Sequence, residues 1–319
     1  MLAAAHSRWA GEPVPLLAEA LLAEDGKTHA AYPCPMTRTC RVGAMEIGAD
    51  QPLAIIAGPC VLESTEMALE IGHTVRDACA ELGLPFVFKA SFDKANRTSI
   101  GSPRGPGLEA GLAALAAVGE ALGVPTTTDI HTPEQCEAAA EVVDLLQVPA
   151  FLCRQTDLLL AAGEAAAAHG RAVNIKKGQF LSPAEMRGPV DKLAEAGCSN
   201  VMLTERGTFF GYHRLVNDFL GLGDLLELDV AGGSPPVCFD ATHSTQLPGA
   251  GAQTAGRPER APLLARAATA AGVHAIFIEC HPDPAEALSD GATQQPLEQM
   301  PALLAQIAAI HTALQNERL

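Results

Sequence analysis

Positive charge is scarce in this chain. Its 319 residues hold 21 Lys and Arg against 37 Asp and Glu, a formal net charge of −16. That balance argues against nucleic acid or an anionic membrane as a partner. No apolar run reaches the ~18 residues that a membrane-spanning helix needs, and residues 1–10 lack the basic start and long apolar stretch of a signal peptide. The nine cysteines form no Cys-x-x-Cys pair and leave an odd count, which fits mostly buried thiols in a reducing compartment. No Gly-x-Gly-x-x-Gly follows the first apolar run, which disfavours a dinucleotide-binding fold. These absences together predict a cytoplasmic protein with small-molecule partners.

Lysine is the scarcest charge, at Lys27, Lys89, Lys94, Lys176, Lys177 and Lys192 only. Four of these six stand directly after apolar, strand-like runs. The richest stretch runs from Phe88 to Ser99, reading FKASFDKANRTS, and continues to Arg104-Gly105-Pro106-Gly107. A strand that ends in this density of charge needs water, an anion or counter-charges. A solvated basic loop is the plain reading. An acidic chain that places its few lysines at strand ends is better explained by an anion site, with Lys as point charge, Arg as planar fork and Gly admitting the backbone.

From Leu53 a regular alternation begins. Strand-like runs are predicted at 53–57, 85–89, 124–128, 144–148, 172–176, 200–204, 236–240 and 274–279. Helical stretches are predicted at 66–82, 108–122, 133–141, 156–168, 183–196, 217–228, 260–271 and 296–315. Eight such units imply an α/β fold of the (β/α)8 barrel type. Residues 41–48 read as a small hairpin ahead of it. Residues 1–39 read as an extension outside the barrel, a disordered tail or an upstream start, and 40–319 as the catalytic domain.

In such a barrel the working groups stand where strands run out at the C-terminal face. Two constellations emerge there. One is cationic, namely Lys89, Lys94, Arg97, Arg104, Lys176 and Arg206, enough donors for two phosphorylated substrates. Lys177, adjacent to Lys176, is expected to face away and form an ion pair behind the barrel. The other is Cys60, His243, Glu279 and Asp290. Thiolate, imidazole and carboxylate together suit a transition metal rather than Mg²⁺ or Ca²⁺, although a lone buried Cys or His is more often structural. His131 lies on the active rim, where it can handle a water or a phosphate. His213, His274 and His281 read as packing or loop residues. The long segment 244–258, with Gln246, Gln253 and Arg257, has the length of a lid.

The stretch FKASFDKANRTS with the later RGPG resembles the 3-deoxy-D-manno-octulosonate 8-phosphate synthase family, over about residues 40–300. The resemblance implies condensation of phosphoenolpyruvate with D-arabinose 5-phosphate, for lipopolysaccharide synthesis, by a cytoplasmic homotetramer. It implies that Lys89, Lys94, Lys176 and Arg206 hold phosphoenolpyruvate, with Gln147 nearby. It implies that Asn96 and Arg97 bind arabinose 5-phosphate, with part of that site supplied by a neighbouring subunit. Members of the metal-dependent class carry Cys in Ala-Gly-Pro-Cys, His in Asp-Ala-Thr-His-Ser, Glu before His-Pro-x-Pro and Asp in Leu-Ser-Asp. All four settings recur here, at Cys60, His243, Glu279 and Asp290, so a divalent Zn, Fe, Mn or Co ion is expected. Cys60, His243, Lys94 and Asp290 are the residues expected to carry the chemistry. Gly101 departs from the family's usual His and puts only the local loop in doubt. Two alternatives are weighed. The sister synthase that uses erythrose 4-phosphate has Lys-Pro-Arg-Thr where this chain has Lys94-Ala95-Asn96-Arg97. A catalytically dead barrel would have lost a metal or phosphate group, and none is lost.

Overall fold

The computed structural model describes residues 37–95, 103–249 and 255–317. The expectations placed on residues 1–36, and on Asn96, Arg97, Gly101 and Gln253, lie outside the described residues. The described part belongs to one compact unit, Pro35–Leu319.

A hairpin of β1 (Cys40–Val42) and β2 (Met45–Ile47) opens it. Then follow β3 (Ala54–Gly58), α1 (Thr65–Leu82), β4 (Phe86–Lys89), α2 (Leu108–Leu122), β5 (Thr126–Asp129), α3 (Pro133–Val142), β6 (Leu145–Val148), α4 (Thr156–His169), β7 (Ala172–Lys176), α5 (Arg187–Glu195), β8 (Val201–Glu205), α6 (Phe219–Leu226) and β9 (Val237–Asp240). The antiparallel pair β10 (Gln246–Leu247) and β11 (Ala255–Gly256), α7 (Ala261–Ala270), β12 (Ala275–His281), β13 (Gln295–Pro296) and α8 (Met300–Glu317) complete it. Strands β3 to β9 pair in sequence order, all parallel, and β12 pairs with both β9 and β3. That double pairing closes an eight-stranded barrel with helices between its strands.

Strand alternation sorts the side chains into two cores. On β7, Val173 and Ile175 face the helices, within an outer core that takes in Ile71 and Val75 of α1 and Leu158 and Leu159 of α4. Ala172 faces inward, where Val42 and Ile47 of the hairpin pack on Ile56, Val87, Leu145, Met202 and Phe277. The hairpin therefore plugs the lower end of the barrel, and Asn174 and Lys176 continue the inner row upward. Helix starts carry their own signals. Ser64 accepts the Met67 N–H at 3.1 Å, Thr132 and Gln135 form a capping box, and Asp218 accepts the Leu220 N–H at 3.1 Å.

Two helix starts differ from expectation. The helix predicted from 296 begins at Met300 after a 3-10 turn, Leu297–Gln299. The helix predicted from 183 is a 3-10 turn, Pro183–Met186, before α5 starts at Arg187. Pro189 has no N–H and fits only in the first turn of an α-helix, so it sets the start. Pro262 and Pro301 occupy the second position of α7 and α8 in the same way.

Candidate active site

The upper end of the barrel is polar because the inner row of every strand but β3, which finishes in Gly58 and Cys60, runs out in a charge or amide. Lys89 is 1% exposed, and its ammonium donates to the Pro59 and Cys60 carbonyls at 3.2 and 2.8 Å and to the Glu279 carboxylate. It thereby ties the ends of β3, β4 and β12 together. Lys176 donates to Asp240 Oδ2 at 2.6 Å and sits 3.6 Å above the centre of the Phe277 ring. Phe277 thus forms an apolar floor that accepts cations on its face. Lys94 Nζ is 3.7 Å from Asp129 Oδ2. Burial opposes its charge, but Cys60, Glu279, Asp129 and Asp290 outweigh burial and raise its pKa above the ordinary lysine value. Burial lowers the pKa of the Arg206 guanidinium, which donates to Gln246 Oε1 at 2.6 Å and has NH1 buried without a hydrogen-bond partner.

The metal-capable residues converge from three strands and one loop. The ligating atoms of Cys60, Glu279 and Asp290 all lie within 4.8 Å of one another. Cys60 Sγ is 3.3 Å from Asp290 Oδ2, and His243 Nε2 is 3.6 Å from Glu279 Oε2 and 3.9 Å from Asp290 Oδ2. Donors held about 3–4 Å apart match a tetrahedral ion with bonds of about 2.0–2.3 Å. His243 donates its Nδ1–H to Asp240 Oδ2 at 2.7 Å, which turns the Nε2 lone pair toward the carboxylates. Glu279 Oε2 is buried and accepts no hydrogen bond. A buried carboxylate oxygen facing an imidazole nitrogen and a thiol is what a cation would satisfy, so the donor set fits a transition ion. Asp290 has a left-handed backbone, φ 50°, held by Thr293, whose N–H and hydroxyl both donate to the Asp290 carbonyl. Burial, reinforced by Glu279, pushes the Cys60 thiol up.

The remaining expectations divide. Lys177 faces outward and reaches Glu205 at 3.3 Å, as the pairing behind the barrel required. Arg104 closes its fork on Asp93, with Nε at 2.8 Å from Oδ1, and its side chain is 63% exposed. His131 is half-buried, its Nδ1 is buried and unpartnered, and burial lowers its pKa. His274 accepts the Val237 N–H and His281 the Asp283 N–H, while His213 is an exposed loop residue. Gln246 lies in β10 opposite Gly256, and Arg257 directly follows β11. Sequence reasoning missed the work of Asp129 and Asp240 as counter-ions. It missed Phe277 altogether. The available signal was parity, because Asp240 and Phe277 share the inner face with Lys176 and Glu279.

The chain has relatives along most of its length. Residues 30–316 match the DAHP synthetase I family. A 2-dehydro-3-deoxyphosphooctonate aldolase of Azoarcus sp. (strain BH72) is 52% identical over 277 residues, 86% of this chain and 96% of the relative. The protein of the same description from Nitratidesulfovibrio vulgaris (strain DP4) is 54% identical over 257 residues, 80% of this chain and 91% of the relative. The chain belongs to the 2-dehydro-3-deoxyphosphooctonate aldolase family, within the DAHP synthetase I family. A third aldolase of this family, from Cyanothece sp. (strain PCC 7425 / ATCC 29141), is 52% identical over 85% of this chain.

Proposed function

We propose that this protein condenses phosphoenolpyruvate with D-arabinose 5-phosphate and water, giving 3-deoxy-D-manno-octulosonate 8-phosphate and inorganic phosphate. The observation that carries the reading is the meeting, at one barrel mouth, of a lysine and arginine set with a thiol, imidazole and carboxylate set, in a chain of this family. C3 of the enolphosphate bonds to the aldehyde carbon, and the aldehyde oxygen takes a proton. Water adds at C2, and the bond from C2 to the phosphate oxygen breaks. Lys89, Lys94, Lys176 and Arg206 hold the enolphosphate by its negative charges, and Arg206 NH1 has an N–H still to give. Gln147 lies nearby, just beneath the rim. Asn96 and Arg97 take the aldose phosphate, with Arg104 and Asp93 bracing the base of that loop. His131 and Asp129, adjacent on the β5 rim, are placed to orient the water. The lysines fix both substrates in line, which is the proximity share of the rate.

Cys60, His243, Glu279 and Asp290 are the residues that hold the divalent ion, of the Zn, Fe, Mn or Co type. When bound there, such an ion polarises the aldehyde or lowers the pKa of a coordinated water.

We further infer a cytoplasmic homotetramer serving lipopolysaccharide synthesis. Among the described residues no helix is long and apolar enough to cross a membrane. Phe210 and Tyr212, at 98% and 92% exposure, and Phe151 at 54% leave large apolar surface for a second copy to cover.

Phosphate release measured with each aldose phosphate tests the reading. The kcat/KM is expected to be about 100-fold higher with arabinose 5-phosphate than with erythrose 4-phosphate, the order of discrimination a shaped polar site achieves. Comparable values for the two sugars would move the protein to the sister activity, and no release with either would leave only a binding barrel.

A further inference from the structure

Beneath the charged rim runs a belt of polar side chains, one per strand. Asp129, Gln147, Asn174 and Thr204 come from β5, β6, β7 and β8 and are 7%, 0%, 0% and 0% exposed. Strand register sets Asp129 opposite Gln147 and Gln147 opposite Asn174, so their side chains share the inner face. Thr204 stands opposite Lys176, two residues beyond Asn174 on the same face. The belt is continuous. Thr204 Oγ1 donates to Asn174 Oδ1 at 2.7 Å, Asn174 Nδ2 to Gln147 Oε1 at 3.1 Å, and Gln147 Nε2 to Asp129 Oδ1 at 2.7 Å. From the other side the Ser91 hydroxyl donates to Asp129 Oδ2, the oxygen that lies 3.7 Å from Lys94 Nζ.

Every hydrogen bond in this chain points toward Asp129, and chemistry permits no other direction. An ionised carboxylate only accepts. Gln147 must therefore turn its NH2 group to Asp129, which leaves its carbonyl in need of a donor. Asn174 must then turn its own NH2 to Gln147, and its carbonyl in turn needs the Thr204 hydroxyl. With either amide reversed, two acceptors or two donors would meet at fully buried positions, a costly arrangement. Amide orientation at this depth is thus decided by Asp129 at one end, and the Thr204 hydroxyl at the other end supplies the donor that the last carbonyl needs.

We infer that Thr204 and Asn174 are positioning residues for the enolphosphate. Through Gln147 they lock Asp129, and with it Lys94, so that this side of the site meets an anionic substrate with an N–H and an ammonium. This inference rests on the proposed function, because it takes phosphoenolpyruvate as the anion. The plain alternative is a belt that only satisfies buried polar groups and so contributes to stability alone.

Calorimetric titration of the full-length protein with phosphoenolpyruvate, without aldose, separates these readings. Thr204→Val keeps the shape of the side chain and deletes its hydroxyl, while Thr204→Ser keeps the hydroxyl. Thr204→Val is expected to weaken phosphoenolpyruvate binding about fivefold, the worth of one hydrogen bond, and Thr204→Ser to bind like the unaltered protein. In turnover the Thr204→Val loss is expected in KM for phosphoenolpyruvate, with KM for the aldose phosphate within twofold. Unaltered affinity in Thr204→Val, with or without a lower melting temperature, overturns the inference and leaves the function standing. Equal weakening by Val and Ser also overturns it, because the hydroxyl would then not be the cause. If the unaltered protein binds no phosphoenolpyruvate, the function itself fails and the inference goes with it.

Discussion

Cys60 shows how one side chain takes its meaning from its surroundings. It is wholly buried, and so are Cys40, Cys79 and Cys238, which touch no metal-capable cluster among the described residues. Burial raises the pKa of all four thiols, for Cys79 to about 12. What separates Cys60 is Asp290 at 3.3 Å and a Glu279 oxygen without a hydrogen bond. A thiolate in the ligand set favours later transition metals over Mg²⁺. Prolonged chelation is therefore expected to abolish phosphate release, and Mn²⁺, Fe²⁺, Co²⁺ or Zn²⁺ to restore it to different degrees. Cys60→Ala should lose both bound metal, measured by elemental analysis, and activity, while its circular dichroism is unchanged. Cys60→Asn, which puts a neutral amide in place of the thiolate, should retain weak activity that chelators no longer affect. A metal-free protein turning over at full rate would remove Cys60 from the ligand set.

At the scale of elements, the barrel seam beside the site is set by a glycine. A Cβ placed on Gly58, at the end of β3, would stand 1.9 Å from the Lys89 carbonyl oxygen of β4. The two strand ends approach this closely because Gly58 has no side chain, and the approach lets Lys89 reach the Pro59 and Cys60 carbonyls across the seam. Gly58→Ala must push β3 and β4 apart. Overpacking of this kind costs about 1–3 kcal/mol, and a displacement near 1 Å at a catalytic group costs about 100-fold in rate. The variant is expected to melt several degrees lower and to lose activity by about that factor. A variant with full activity and an unchanged melting temperature would show that the seam has slack. Strand positions were legible beforehand, since buried parallel strands read as short apolar runs between turns. Helix starts at 187 and 300 were less so, because proline position, rather than apolar period, decided them.

At the scale of the whole molecule, the buried carboxylates set the response to acid. Burial disfavours ionised Asp129, yet Lys94, Lys89 and Lys176 outweigh it and hold its pKa well below the usual carboxylate range. Burial is likewise outweighed at Asp240 by His243 and Lys176, and at Glu279 by Lys89 and His243. A carboxylate whose folded pKa is depressed contributes stability above its unfolded value, about 3.9 for Asp, and that contribution drains away as pH falls toward the folded value. The urea midpoint of the metal-free protein is therefore expected to fall progressively below about pH 4–5. Asp129→Asn should have a lower midpoint at pH 7 and a shallower decline in acid, since its carboxylate no longer gains a proton. A variant whose acid decline is as steep as that of the unaltered protein would show that Asp129 carries none of the linkage.

The sequence by itself determined the eight-fold alternation of strands and helices, because each strand and helix carries its apolar period, cap and turn residues locally. It also determined the family, through the stretch from Phe88 to Gly107 and the four settings of Cys60, His243, Glu279 and Asp290. The parity of adjacent residues determined that Lys176 and Lys177 face opposite ways. Only the tertiary structure decided the partners. Barrel closure, with β12 paired to both β9 and β3, brings Glu279 to Lys89 and His243 although they are far apart in the chain. It also makes Asp240 the shared acceptor of Lys176 and His243, and aligns Thr204, Asn174, Gln147 and Asp129 into one polarised belt. Hydrogen-bond partners across strands depend on register and closure. Those are properties of the whole sheet, which no local stretch of sequence contains.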